Sequence, residues 1–309
     1  MTPSFTVVVP AFNAERTVTS TMRSVLGQSD GDLELIMVDD GSVDRTVRRS
    51  RALESDPRVR VLQRAHTGLA GALNAGLEQA RGDLVAFIGS DDLLLPEYVE
   101  RVRGAFSGCP EAGLAYTDAW SFDDASGRFR PTTAGDAIWR VPDPPADPAE
   151  FLGLLVQRNF IYAAVTARRS ALDAVGGFRT SLAAVEDYEL WLRLLANGYA
   201  AIRVPGEPLA LNRERPDSMS ADWARMTASL AEVWGLVVDE HPAPDVVKRV
   251  AARRRRDALR KLRLYRSPVF RRVLRPAMVA GSSVMRRLRW SSEPPEGVAE
   301  TFALARSAG

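Results

Sequence analysis

Short apolar runs alternate with amphipathic segments through the first hundred residues. Four runs of strand length are rich in branched residues, at 5–10, 33–38, 59–62 and 84–88. Apolar residues at helical spacing between them predict helices at 15–26, 45–53 and 69–81. This alternation predicts an α/β fold with a mostly parallel central sheet covered by helices on both faces.

Polar or acidic residues follow three of these apolar runs. Asn13 follows the first run, Asp39 and Asp40 end the second, and Asp91 and Asp92 follow the fourth. The carboxyl ends of parallel strands meet at one edge of a sheet, where open α/β folds bind ligands. Adjacent carboxylates repel each other, so they occur where water, a cation or a cationic ligand compensates. We therefore predict a nucleotide or metal site here; the alternative for the last pair is a solvated turn that caps the next helix.

The second half of the chain shows the same element types with longer connections. Strands are predicted at 114–120 and 163–167, and helices from 151 and at 168–175. Residues 121–150 are rich in Asp, Pro and Gly and predict a long loop. A further amphipathic helix begins at Glu186, and Asp187 beside it also lies in the first turn, where a carboxylate complements the helix dipole.

Composition limits the class of protein. The 309 residues are 46% hydrophobic, which is enough for a sizeable core. The single cysteine excludes an intrachain disulfide framework and fits a reducing compartment. The N-terminus lacks the features of a signal peptide, and no apolar stretch approaches the roughly 18 residues of a membrane span. We therefore expect a cytoplasmic protein.

Charge is distributed unevenly along the chain. Residues 241–290 contain 16 Lys/Arg and two Asp/Glu, whereas residues 1–240 have a net charge of −10. Apolar and basic positions interleave in this segment, and the helical pattern begins near Trp223. A basic amphipathic helix favours an anionic membrane surface, which would place the protein peripherally at the inner face of a membrane. The alternative is a helical cap with a solvated basic face; nucleic-acid binding is disfavoured because no recognised module is present.

Four blocks of sequence carry a family resemblance. They are Val7–Asn13, Val38–Asp44, the helix over 68–76, and the block from Gly82 to Pro96. In this order and at these separations they resemble family 2 glycosyltransferases, over about residues 5–220. The resemblance implies a GT-A fold and inverting transfer from a nucleotide-diphosphate sugar to an acceptor hydroxyl, with Mg²⁺ or Mn²⁺ as cofactor. It also implies a catalytic domain at 1–220, with a nucleotide-sugar half to about 105 and an acceptor half from 106, followed by a basic helical region at 221–309.

The resemblance assigns residues to the donor site. It implies that Asp91 binds the metal, next to Ser90 and Asp92. The family's strand usually ends Asp-x-Asp-Asp, and Gly89 occupies the first of these positions. The residues expected to recognise the base and ribose are Pro10, Phe12, Asn13, Glu15, Asp39 and Asp40.

The resemblance also assigns the catalytic acids and the cations. The segment from Glu186 to Arg193 matches the pattern Glu-Asp-x-x-Leu-Trp-x-Arg, which implies that Asp187 is the general base and Glu186 its neighbour. Arg64, Arg213 and Arg215 are candidates to neutralise the diphosphate. Residues 211–220 resemble an Arg-rich segment of the family that ends Ser-x-Ser; histidine is common in that segment and absent here. The alternative for this segment is a solvated basic loop.

Three functions remain open from the sequence. The first is a glycosyltransferase acting in polysaccharide, glycolipid or other surface-glycan synthesis, with a glycan, lipid-linked or small-molecule acceptor. The second is a catalytically degenerate module that binds nucleotide sugars; this function stays possible because Gly89 replaces an acid of the family pattern. The third is a nucleotidyltransferase, although no Gly-rich signature with downstream Arg and Lys follows the first strand. His66 and His241 have no metal-ligand spacing and receive no role.

Overall fold

The structure is a computed structural model that describes residues 5–129, 138–139, 141–161, 164–215 and 222–266, together with residues 301 and 303. These ranges contain eleven strands and nine helices. The strands are β1 (Phe5–Ala11), β2 (Glu34–Asp39), β3 (Val59–Gln63), β4 (Leu84–Phe87), β5 (Leu93–Leu94), β6 (Ala112–Tyr116), β7 (Ala119–Asp123), β8 (Ile138–Trp139), β9 (Val165–Arg168), β10 (Ala200–Arg203) and β11 (Ala210–Glu214). The helices are α1 (Val18–Leu26), α2 (Thr46–Arg51), α3 (Leu69–Gln79), α4 (Tyr98–Gly108), α5 (Pro148–Gln157), α6 (Arg169–Val175), α7 (Glu186–Ala196), α8 (Trp223–Asp239) and α9 (Asp245–Arg266).

The main sheet has seven strands in the order β10-β6-β9-β4-β1-β2-β3. Strand β9 runs antiparallel to both of its neighbours, and the other pairs are parallel. The prediction of a mostly parallel sheet is therefore confirmed. Strand β1 lies between β4 and β2, so the loops that follow these three strands meet at one edge of the sheet.

Helices cover both faces of the main sheet, as the sequence pattern predicts. Alternate residues of β1 enter two separate apolar clusters, because successive side chains of a strand point to opposite faces. Val8 packs in a cluster with residues of α3, α5 and α7, whereas Val7 and Val9 pack in a cluster with residues of α1 and α4. All seven residues of β1 are buried, which explains its continuous apolar run.

A second, four-stranded sheet has the order β5-β11-β7-β8. The single strand predicted at 114–120 is wrong, since β6 joins the main sheet and β7 joins this one. Asp118 lies between them and is 1% exposed, and its carboxylate pairs with Arg203 and accepts a hydrogen bond from the backbone N–H of Val141. The predicted long loop at 121–150 also contains the end of β7, β8 and the start of α5; residues 130–137 and 140 lie outside the described part.

The C-terminal helices α8 and α9 pack against the rest of the fold. Val247, Ala251 and Ala258 of α9 are buried in the same apolar cluster as residues of α5 and α7. The helical pattern predicted from near Trp223 is confirmed by α8 and α9, and residues 267–290 of the basic segment lie outside the described range. In the described part of the chain, no helix has the length and apolar character needed to span a membrane.

Candidate active site

The ends of β1, β2 and β4 form a continuous edge held by backbone hydrogen bonds. The N–H of Asp40 donates to the carbonyl of Ala11 at 2.9 Å, and the N–H of Ile88 donates to the carbonyl of Val8 at 3.2 Å. Arg64, just after β3, donates its N–H to the carbonyl of Asp39 at 3.0 Å. The loops that carry the predicted donor-site residues are therefore neighbours in space.

The loop after β1 is braced against the loop after β2. Asn13 adopts a φ of 50°, donates its N–H to the hydroxyl of Ser42 at 2.8 Å, and accepts from the N–H of Val43 at 3.0 Å. The carboxylate of Glu15 accepts from the N–H of Arg45 at 3.0 Å. Asn13 and Glu15 thus hold two loops together, whereas Phe12, which precedes Asn13, is 49% exposed.

Asp40 organises a third loop, residues 64–68. Its buried carboxylate accepts from the N–H groups of Thr67 and Gly68, each at 2.9 Å, and lies 2.8 Å from Nδ1 of His66. Nε of Arg64 lies 3.8 Å from the same carboxylate. These partners occupy both oxygens of Asp40, which therefore organises this loop; its contact with a donor stays a prediction. Asp39 has fewer partners, since both of its oxygens share the N–H of Ser42 at 3.2–3.3 Å.

His66 lies at the candidate site, although the sequence pattern predicts no role for it. Its ring centroid lies 4.5 Å from that of Phe12, and its side chain is 59% exposed. The two rings form an exposed aromatic surface beside Asp39 and Asp40. Gly41 allows this approach, because a Cβ at its position would lie 3.0 Å from the backbone nitrogen of His66 and its φ is +82°. No local pattern places residue 66 there, because the contact depends on the return of the β3 loop.

Asp91 and Asp92 are held by two arginines from β11 and its end. Arg215 Nη2 lies 3.2 Å from Asp91 Oδ2, and the N–H of Arg213 donates to Asp92 Oδ1 at 2.8 Å. Nε of Arg213 donates to the Asp91 carbonyl at 2.8 Å, and Nη1 donates to Asp124 at 2.6 Å. The alternative in which these acids cap a solvated turn is wrong, and so is the solvated-loop interpretation of Arg213, which is 7% exposed.

Burial changes the titration of this acidic pair. It raises the pKa of Asp91, and the positive charge of Arg215 opposes that effect. Burial and then the negative charge of Asp91 raise the pKa of Asp92 well above its usual value. Ser90 is partly buried beside them, and residues 216–220 of the Ser-x-Ser segment lie outside the described part.

The side chains around Asp91 do not form a preassembled metal site. No three His, Cys, Asp or Glu side chains of the described residues form a group that could hold a metal ion. Gly89 contributes no carboxylate, the Asp91 carboxylate pairs with Arg215, and Asp92 accepts from Arg213. The role of Asp91 as a metal ligand stays a prediction.

The predicted catalytic acids lie at the N-terminus of α7. Val185 precedes them with a φ of 59°, a left-handed conformation that is rare for a β-branched residue and typical of functional sites. Burial, and then the charge of Asp187, raises the pKa of Glu186 to about 7. Asp187 is partly buried, and the desolvation of its carboxylate raises its pKa. The N–H of Tyr188 donates to that carboxylate at 2.6 Å, which opposes the rise. A carboxylate with a raised pKa suits proton abstraction near neutral pH.

Packing links α7 to strand β4. Phe178 lies 4.9 Å from Phe87 of β4 and 6.3 Å from Trp191 of α7, measured between ring centroids. Asn74 of α3 bonds both backbone groups of Phe178 at 2.8 Å. Further along α7, the buried Glu189 pairs with arginines and with His241, the second histidine without a predicted role. The helix is therefore fixed relative to the sheet that carries Asp91.

Comparison with known proteins identifies a matching family model and several named relatives. The family model described as Glycosyl transferase family 2 matches residues 6–172. The O-antigen biosynthesis protein RfbC of Myxococcus xanthus is 32% identical over 246 residues, which cover 78% of this chain. This match spans only 18% of RfbC, so the whole relative is much larger than the shared region.

Two solved structures share the fold. The crystal structure of S. aureus TarS 1-349 in complex with UDP-GlcNAc has a TM-score of 0.65 at 17% identity, covering 86% of this chain and 75% of that one. The mannosyltransferase PcManGT from Pyrobaculum calidifontis, in complex with GDP-Man and Mn²⁺, has a TM-score of 0.58 at 19% identity, covering 100% of this chain and 86% of that one. Both likenesses show a GT-A glycosyltransferase fold.

Proposed function

The chain belongs to glycosyl transferase family 2, and we propose that it moves a sugar from a nucleoside-diphosphate sugar to an acceptor hydroxyl with inversion at the anomeric carbon. The observation that carries this proposal is the acidic pair at the start of α7. Asp187 there is a partly buried carboxylate with a raised pKa, on a helix fixed to the sheet whose edge forms the candidate donor site.

The donor would lie across the edge formed by β1, β2 and β4. The exposed rings of Phe12 and His66 offer a surface on which a nucleobase can stack. Asp39 retains acceptor capacity for a base N–H or a ribose hydroxyl. Arg213 and Arg215 lie beside Asp91, where a diphosphate would meet positive charge.

The chemistry proposed is a single displacement. Asp187 accepts the proton of the acceptor hydroxyl while that oxygen attacks the anomeric carbon. The bond between the anomeric carbon and the diphosphate oxygen breaks, and the electron pair leaves with the nucleoside diphosphate. Attack from the face opposite the leaving group inverts the configuration. Glu186 lies beside the base, and the charge of Asp187 helps to raise the pKa of Glu186 to about 7, so Glu186 can hold a proton next to the ionised base.

The relatives support a role in glycan synthesis. TarS and PcManGT are named in complex with UDP-GlcNAc and GDP-Man, which supports a nucleotide sugar as donor. RfbC is named for O-antigen biosynthesis, which supports a polysaccharide or other surface glycan as product. PcManGT is named in complex with Mn²⁺ as well as with GDP-Man, so a divalent cation binds that protein. The displacement proposed for this chain includes no metal ion, because the residues around Asp91 do not form a preassembled metal site.

We further propose that α9 contacts an anionic membrane surface from the cytoplasmic side. Its inner face packs on the domain, and its outer face exposes Leu259, 45% exposed, and Leu264, 49% exposed. The exposed basic residues on α9 are Arg249, Arg253, Arg255, Arg256, Arg260, Lys261 and Arg263. Each basic residue near anionic lipid adds about 1 kcal/mol of attraction. Such a position would suit a lipid-linked acceptor.

The test of the main proposal is a donor panel. The full chain is incubated with UDP-GlcNAc, GDP-Man and other nucleotide sugars, with simple sugar acceptors, and nucleoside diphosphate release is measured. We expect release with at least one donor and, by NMR, a product of inverted anomeric configuration. Retained configuration would refute the mechanism. Binding of a donor without any release would favour the degenerate binding module.

A further inference from the structure

We propose that Arg215, together with Arg213, supplies the positive charge that a divalent cation would otherwise bring to the donor's diphosphate, so that donor binding and transfer proceed without a metal. The inference rests on the proposed function, because it assumes a nucleoside-diphosphate sugar as donor.

The two guanidinium groups are placed to act together. Residues two apart on an extended strand face the same side, and Arg213 lies in β11 with Arg215 just beyond its end. Nη2 of Arg215 lies 3.2 Å from Asp91 Oδ2, and the side chain is 29% exposed, so a ligand can reach it. Arg213 is 7% exposed, and its Nη2 atom has no hydrogen-bond partner among the described residues. Because that atom is buried, Arg213 would act on a bound diphosphate through its charge, and Arg215 would make the direct contact.

The carboxylates around this pair fit a guanidinium better than a metal ion. A Cβ at Gly89 would lie 2.9 Å from Asp91 Oδ1, so an acid at that position would stand directly beside Asp91. Because residue 89 is glycine, no such acid is present. Arg215 is a charged partner of Asp91, and the N–H of Arg213 donates to Asp92. A divalent cation on Asp91 would meet the like charge of Arg215 unless that side chain moved away.

A guanidinium group can neutralise the charge of a diphosphate. Its planar fork of N–H donors matches phosphate oxygens and stays charged at all accessible pH values. When the bond to the anomeric carbon breaks, the electron pair remains on the diphosphate oxygen, and preplaced donors stabilise that charge. The proton of the acceptor goes to Asp187, so the step needs no further reactant.

The test is calorimetric binding of UDP and GDP to the full chain in EDTA and then in Mn²⁺. We expect the wild-type protein to bind one nucleotide in EDTA, with an affinity that Mn²⁺ changes by less than about threefold. Arg215→Ala should weaken binding in EDTA by about tenfold or more, because it removes a charged hydrogen bond. It should also gain a response to Mn²⁺, since Asp91 is then free to bind the ion.

Matched variants separate charge from folding. Arg215→Lys keeps the charge and should bind between the wild type and Arg215→Ala. Arg23→Ala removes an exposed guanidinium from the last turn of α1 and should bind like the wild type. Thermal unfolding of each variant checks that the fold is intact, and EPR of added Mn²⁺ reports direct metal binding.

Two results would overturn the inference. Wild-type binding that disappears in EDTA and returns with Mn²⁺, together with unchanged binding by Arg215→Ala, would show that the metal carries the charge while the donor proposal survives. Absence of nucleotide binding under both conditions would overturn the donor proposal and this inference together.

Discussion

Replacement of Glu189 by glutamine should destabilise the fold at the helix that carries the proposed base. Glu189 lies in α7 two residues after Asp187, and its carboxylate is fully buried. It accepts from Nε and Nη2 of Arg193 at 2.9 and 2.8 Å, and from Nε of Arg179 at 2.9 Å. Nε2 of His241 lies 3.1 Å away. Glutamine keeps the shape and removes the negative charge that these groups share.

The magnitude follows from the titration of the carboxylate. Burial alone would raise the pKa of Glu189, but hydrogen bonds from His241 and Arg193 outweigh it and lower the pKa from 4.5 to about 2. This change is equivalent to about 3 kcal/mol of folding stability at neutral pH. Loss of one partner from a buried ion pair costs about 3 to 5 kcal/mol, which agrees.

Urea unfolding of the full chain measures the effect. At pH 7 we expect Glu189→Gln to lose about 3 kcal/mol relative to the wild type. Because the folded-state pKa is lowered, this stabilisation is present above the unfolded-state value of 4.5 and is lost as the pH falls towards about 2. The difference between the two proteins should therefore be constant from neutral pH to about 5 and shrink below it.

A matched control variant defines the result that would contradict this prediction. Glu78→Gln changes an exposed carboxylate on α3 and should alter stability by less than about 0.5 kcal/mol. If Glu189→Gln behaves like this control, or if its effect does not depend on pH below 4.5, the network does not hold α7 as described.

The remaining predictions concern the aromatic surface, the acidic pair and the basic helix. Phe12→Ala should weaken UDP or GDP binding in calorimetry by about tenfold if the ring stacks on the base. Asp187→Asn should lower the pKa of Glu186 from about 7, because the charge of Asp187 contributes to that raised pKa; an unchanged Glu186 pKa, followed by NMR of its carboxyl carbon, would contradict this. Charge reversal at Arg253 and Arg256 should reduce pelleting with phosphatidylglycerol vesicles, whereas equal pelleting would refute the membrane contact.

The sequence was informative wherever local pattern determines structure. Branched apolar runs such as Val7–Val9 form strands because both faces are buried, and the polar residues after them meet at one edge because parallel strands align their ends. The acids at the start of α7 also follow a local rule, since carboxylates favour a helix N-terminus.

The parts that escaped prediction depend on contacts between distant segments. Arg213 was open to interpretation as a solvated loop residue, and it is buried because β11 pairs with β7 some 90 residues earlier in the chain, as in the Leu211–Trp120 pair. His66 reaches Phe12 only because the loop after β3 folds back onto Asp40. Neither contact has a periodic signature in the sequence.

The rate of nucleoside diphosphate release by Asp187→Asn tests the central claim most directly. The comparison is with the wild type and with Asp173→Asn, which changes an exposed carboxylate on α6. If Asp187 is the general base, its replacement should lower kcat by about 100- to 10,000-fold, with nucleotide affinity unchanged and Asp173→Asn at the wild-type rate. A rate for Asp187→Asn within about threefold of the wild type would contradict the account, because loss of general-base catalysis costs more than that.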